Sequence, residues 1–136
     1  DELAALQVRL ELQAPAQTLY CRVDPPRFEQ ALTNLLRNAA QASPGGLVRL
    51  RWWRDAAELM LQVEDDGPGI AESNRAALFE PFFTTKAVGE GSGLGLAVAH
   101  GVVSECGGRI ELVDGGLPGA AFRIALPLID LEVEHD

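Results

Sequence analysis

The sequence predicts a two-layer α/β sandwich, with a mixed sheet of about five strands packed on about three helices. Three observations predict it. Apolar residues alternate through residues 47–54 and 58–64, two strands joined by a hairpin at Asp55-Ala56-Ala57. Phe28, Ala31, Leu32, Leu35, Leu36 and Ala39 recur at helical spacing and make one buried face. A second apolar helical run, over residues 94–105, follows a glycine-rich stretch.

The elements follow in order. Residues 8–12 read as a strand and residues 19–23 as a short one. Asp24 before Pro25 and Pro26 is a cap and first-turn arrangement, which starts a helix over 26–43. Pro44-Gly45-Gly46 turns the chain into the paired strands. A short helix is expected near 72–77, and strands over 109–113 and 121–126 close the fold. Residues 129–136 are acidic and are expected to fray.

A length of 136 residues suits one domain with a real core. The chain begins with Asp1 and reads as an excised fragment, so a missing leader says nothing of its parent. No apolar run approaches the ~18 residues that span a bilayer. Asp and Glu number 20 against 11 Lys and Arg, and a net charge of -9 disfavours nucleic acid as a partner. Cys21 and Cys106 lack a close pairing spacing and read as two reduced thiols in a cytoplasmic setting.

Three pieces carry chemistry. Asp65 ends an alternating strand, and Gly67, Pro68 and Gly69 turn the chain at once. A carboxylate there, beside glycines that let backbone approach a ligand, suits an acceptor for an adenine amino group. In isolation an Asp-Gly turn would look the same. Gly91, Gly93 and Gly95 alternate into an apolar helix, which brings backbone N–H groups and a positive helix end near a phosphate. Leu96 breaks the Gly-x-Gly-x-x-Gly spacing, and no Gly-Lys-Ser/Thr is present. Asn34 and Asn38 lie four apart on one side of a helix, although asparagine is a mediocre helix former. Their amide oxygens are neutral hard ligands of the kind magnesium accepts beside water and phosphate.

In this order the motifs resemble the catalytic, ATP-binding domain of bacterial two-component sensor histidine kinases. Its superfamily also holds DNA gyrase, mismatch-repair ATPases and a heat-shock chaperone. The resemblance is strongest over residues 24–128. It comprises Asn34-Leu35-Leu36-Arg37-Asn38-Ala39, Asp65 to Gly69, Leu78-Phe79-Glu80-Pro81-Phe82-Phe83, Gly91 to Leu96, and the strand entered at Gly119-Ala120. Glu80-Pro81-Phe82-Phe83-Thr84-Thr85-Lys86 is similar to the nitrogen-regulation-type subgroup. The resemblance implies a Bergerat-type ATP-binding fold with a mobile lid over residues 84–90, and ATP and Mg2+ as cofactors.

The resemblance also assigns roles. Asp65 accepts from adenine, and Gly67, Gly69, Ile70 and Ala120 belong to the base pocket. Asn38 holds magnesium, with Asn34 near the ion and the terminal phosphates. Gly91, Ser92, Gly93, Leu94, Gly95 and Leu96 surround the phosphates. Phe79, Thr84 and Thr85 border the nucleotide, and Lys86, the lid's one cation, approaches the phosphates. Phe79 is expected in the core at the lid base. Phe82 or Phe83 is expected to dock on a helical partner.

Four positions depart from the family pattern, one of them Ala42, where an aromatic residue is common. Gln41 stands where a lysine is common, which puts more weight on Lys86. Ala120 replaces a threonine whose hydroxyl helps fix the adenine-side aspartate or a water. Asp66 replaces a common asparagine.

Relatives that hydrolyse ATP carry a glutamate one turn before the magnesium asparagine, where it can deprotonate water. Here the residue is Asn34, an amide that cannot act as that base. Transfer to histidine needs no such base, because a neutral imidazole nitrogen already offers a lone pair. Neither His100 nor His135 stands in a phosphoacceptor context. His100 reads as structural and His135 as tail. The phosphoacceptor histidine is therefore expected on a separate dimerisation domain of the same kinase, with a response regulator as the next acceptor and the isolated domain a monomer. The alternative is a degenerate nucleotide-binding regulatory module without transfer activity, which Gln41 and Ala120 would favour.

Overall fold

Alternating side chains set the sheet, and one face of it receives the helices. A computed structural model describes residues 9–14, 19–77 and 95–129. Its strands are β1 (Arg9–Gln13), β2 (Leu47–Asp55), β3 (Glu58–Asp65), β4 (Arg109–Val113) and β5 (Ala121–Pro127). They lie in the order β1-β2-β3-β5-β4. β1 pairs with β2 in parallel, and all other neighbours are antiparallel. β3 is central, and every residue from Leu59 to Asp65 is buried. Its inward row is Leu59, Leu61, Val63 and Asp65; its outward row holds Gln62 and Glu64.

Two α-helices cover the inner face, α1 (Pro25–Ala42) and α2 (Gly95–Glu105). Ala31, Leu35 and Ala39 of α1 join Ala99, Val102 and Val103 of α2 in one core with Val48, Val63, Phe122 and Ile124. Small alanines at these positions let the helices lie close to one another.

Among the described residues the α-helix count is two, against the three expected. The segment Glu72–Ala77 is a 3-10 helix. Asn74 N–H donates to the Ala71 carbonyl at 2.9 Å, a tight three-residue span. Six residues give too few bonds to offset the cost of an α-helical nucleus.

Among the described residues, 19–23 make a single bridge, Cys21 to Leu128, rather than a strand. Asp24 precedes α1 as expected, but its side chain makes no capping bond. With Pro25 and Pro26 at the first two helical positions, one N–H that a cap would serve is missing. The helix closes at Ser43, whose Oγ donates to the Ala39 carbonyl at 3.0 Å. Ile129 N–H donates to the Tyr20 carbonyl at 2.9 Å, and residues 130–136 lie outside the described residues.

Candidate functional site

The strand end at Asp65 organises the site. Asp65 is 2% exposed, although it carries a carboxylate. Burial of that kind is tolerable only with donors. Two main-chain groups supply them: Gly67 N–H at 2.9 Å and Ala120 N–H at 3.3 Å, both on Oδ1. Oδ2 takes no donor among the described residues. Burial pushes the Asp65 carboxyl above its ordinary range, and the Asp66 charge adds to this. The Gly67 and Ala120 N–H groups pull the other way.

The β4–β5 loop, residues 114–120, completes this cradle. Asp65 N–H donates to the Ala120 carbonyl, and Gly119 N–H donates to the Asp65 carbonyl, each at 3.0 Å. A Cβ on Gly119 would overlap Asp65 Oδ1, the Asp65 carbonyl and the Gly67 nitrogen, so only glycine permits this approach. Gly69 has φ +82°, and a Cβ there would lie 3.8 Å from the Pro118 carbonyl. The same loop thus flanks both ends of the glycine turn.

Ala120 lacks the threonine hydroxyl common at this place, and main chain holds Asp65 instead. Asp66, a further departure, fixes the neighbouring turn. Its Oδ1 accepts Leu47 N–H at 3.1 Å, and its own N–H donates to the Leu47 carbonyl at 3.2 Å. An asparagine oxygen could accept the same bond.

α1 carries the two amides. Asn34 and Asn38 are half-buried, flanking Leu35 and Ala39 in the core. A Cβ on Gly95 would sit 3.7 Å from Asn34 Cβ, so the start of α2 meets α1 at this asparagine. Leu96 and Ile70 pack partly buried against the core. Among the described residues no group of three His, Cys, Asp or Glu could hold a metal. Half-buried neutral amides fit an ion that takes few protein ligands and keeps water and phosphate, as magnesium does.

The structure therefore brings Asp65, Gly67, Gly69 and Ala120 together, and separately Asn34 and Gly95. Phe79, Thr84, Thr85, Lys86, Gly91, Ser92, Gly93 and Leu94 lie outside the described residues. So do Phe82 and Phe83. His100 is exposed on α2. Sequence reading did not single out Glu64, Gly116 or the role of Gly119. The available signal was a charged residue directly before Asp65 in an alternating strand, and glycines at 115, 116 and 119.

A separate cleft of about 480 Å³ lies between the start of α1 and the end of α2, lined by Arg22, Asp24, Arg27, Glu105 and Cys106. Arg27 and Glu105 form an ion pair at 2.8 Å there. It contains none of the residues expected to bind nucleotide.

Comparison with known proteins places this geometry. Residues 23–130 match the model of the histidine kinase-, DNA gyrase B-, and HSP90-like ATPase family. The chain belongs to that family. Among its relatives is the two-component sensor PprA of Pseudomonas aeruginosa, 41% identical over 129 residues, covering 89% of this chain and 14% of PprA. The sensor histidine kinase ZraS of Escherichia coli O157:H7 is 38% identical over 123 residues, covering 90% of this chain and 26% of ZraS. The chain thus spans 14% and 26% of the length of these two relatives.

Solved structures agree. The catalytic domain of histidine kinase ThkA superposes with TM-score 0.81 at 27% identity, covering 93% of this chain and 82% of that one. Mycobacterial sensor histidine kinase MprB gives 0.76 at 32%, covering 93% and 92%. The described residues of this chain combine a five-stranded mixed sheet with two α-helices.

Proposed function

We propose that this chain binds ATP with a magnesium ion and transfers the γ-phosphate to a histidine on a separate dimerisation domain of the same sensor kinase. The observation that carries the reading is Asp65, buried at a glycine turn with both main-chain donors on one oxygen. That arrangement leaves the other oxygen to accept from an adenine amino group.

The side chains divide the work. Asp65 recognises the base and orients it. Gly67 and Gly69 let the turn lie close to it. Asn38 would hold the magnesium ion through its amide oxygen; the ion, when bound, supplies charge neutralisation at the phosphates. Asn34 lies one turn earlier and offers no carboxylate to deprotonate water. Hydrolysis is therefore slow. A neutral imidazole nitrogen attacks the γ-phosphorus, a P–N bond forms, the P–O bond to the β-phosphate breaks, and ADP leaves. In-line positioning carries the rate.

Lys86 is proposed to approach the phosphates from the lid, and Gly91 to Leu96 to cradle them. A response regulator aspartate is the proposed next acceptor, in the cytoplasm. No helix among the described residues is long and apolar enough to cross a membrane. The nitrogen-regulation-type subgroup is proposed from Glu80 to Lys86 alone. A degenerate module drew support from Ala120, but main-chain donation to Asp65 there weakens that support.

The test is incubation of the chain with γ-labelled ATP and the helical domain of its parent kinase. Acid-labile, alkali-stable label on that domain is expected. Free phosphate with no labelled acceptor would contradict the proposal.

A further inference from the structure

The sheet face away from the helices holds a buried carboxylate that nucleotide binding does not use directly. Glu64 precedes Asp65 on β3, so their side chains leave opposite faces of the sheet. Glu64 is 0% exposed. A carboxylate so deeply buried persists only when it is paired and hydrogen-bonded.

Glu64 meets both conditions. Oε2 accepts Gln62 Nε2 at 2.5 Å and Gly116 N–H at 2.9 Å. Arg49 lies 3.3 Å from Oε1, and Arg51 lies 3.5 Å from Oε2. Burial raises the carboxyl, but Gly116 N–H, Gln62, Arg51 and Arg49 outweigh it and hold Glu64 below its ordinary range. A Cβ on Gly115 would crowd Glu64 Oε2 and Ala121 Cβ, so the loop lies directly on this carboxylate.

Gly116 belongs to the same loop that ends at Ala120. Two consecutive residues of β3 therefore pin one loop from two sides of the sheet. Glu64 holds it at Gly116, and Asp65 holds it at Gly119 and Ala120. Between the two anchors the loop is only a few residues long, so a shift at Gly116 is carried to the Ala120 N–H.

We propose that Glu64 is a positioning residue for nucleotide recognition: its bond to Gly116 fixes the loop that brings the Ala120 N–H to Asp65, and so fixes the direction of the Asp65 carboxylate. The proposal rests on the reading of Asp65 as the adenine acceptor. Glu64 touches neither base nor phosphate. It acts through the loop, and its effect falls on adenine selectivity.

The experiment measures binding of non-hydrolysable ATP and GTP analogues to the wild type and to Asp65→Asn, Glu64→Ala and Glu64→Gln, with Tm for each. Asp65→Asn loses the preference for adenine. If it keeps that preference, the reading of Asp65 is wrong and the positioning role falls with it. Glu64→Ala weakens the ATP analogue by about tenfold and leaves the GTP analogue nearly unchanged. Glu64→Gln keeps an oxygen for Gly116 and keeps the preference, although loss of the charge facing Arg49 and Arg51 lowers Tm. Should Asp65→Asn lose the preference while Glu64→Ala retains it at reduced Tm, Glu64 is only structural and the proposal is overturned. Amide exchange on the wild type gives a reading that needs no variant. The ATP analogue slows exchange at Gly116 together with Ala120; slowing at Ala120 alone would overturn the proposal.

Discussion

Gly95 opens α2 directly against Asn34 of α1, with 3.7 Å between Asn34 Cβ and the place a Cβ on Gly95 would occupy. The separation is ordinary van der Waals contact, so one methyl group fits, and a larger side chain directed at Asn34 would press on it. Gly95→Ala should keep the fold, with stability changed by no more than about 1 kcal/mol. Gly95→Leu should displace Asn34 and weaken binding of an ATP analogue. Thermal melts and calorimetry on the two variants check both parts. Equal nucleotide affinity for Ala and Leu at this position would mean that the contact does not matter to the site.

Gly119 is less forgiving. A Cβ there meets main chain and the Asp65 carboxylate on one side of the loop, with no flexible side chain to move away. Gly119→Ala should destabilise the protein by about 3 kcal/mol, the upper end of overpacking costs, and should abolish nucleotide binding. A denaturant titration shows the first effect. A variant as stable as the wild type would mean that the loop can retreat from Asp65.

Asn38→Ala should remove the magnesium dependence of binding and weaken Mg-ATP by about tenfold or more. Titrations with and without magnesium, on both proteins, separate ion holding from general packing. Unchanged affinity in magnesium would reassign the ion.

The buried charge of Asp65 has a cost in stability that pH reveals. Its folded pKa is raised above the ordinary 3.8, with burial as the first cause. The stability associated with the protonated form is fully present below the ordinary value and is lost as pH rises through the raised one. At neutral pH the ionised carboxylate therefore weakens the fold. Asp65→Asn keeps an oxygen for Gly67 and Ala120 and removes the charge. Near neutrality it should melt higher than the wild type, and the gap should close as pH falls toward about 4. Melting curves across that range decide the matter; a gap that widens in acid would reverse the sign assigned here.

Much of this was legible in the chain because the signals are local. Alternation around Asp55-Ala56-Ala57 predicted β2 and β3, and Ala56 indeed turns with φ +53°. Periodicity from Phe28 to Ala39 predicted α1 to within a residue at each end. Asp65 followed from a strand meeting a glycine turn. What local pattern cannot carry is pairing across distance. Residues 19–23 alternate like a strand, but only Cys21 finds a bridge partner, at Leu128. Residues 72–77 look helical, but the run is too short for an α-helix. The loop holding Asp65 lies some fifty residues downstream in sequence, since Ala120 and Asp65 differ by 55 positions. Glu64 reads as the polar half of an alternating strand, and only the folded sheet shows Gly116 seated on it.

Calorimetric titration of a non-hydrolysable ATP analogue, with and without magnesium, reads the base pocket and the ion site together. Micromolar-range binding that depends on magnesium is the predicted result. No binding, or binding of equal strength without magnesium, would contradict the claim that Asp65 and Asn38 together form a Mg-ATP site.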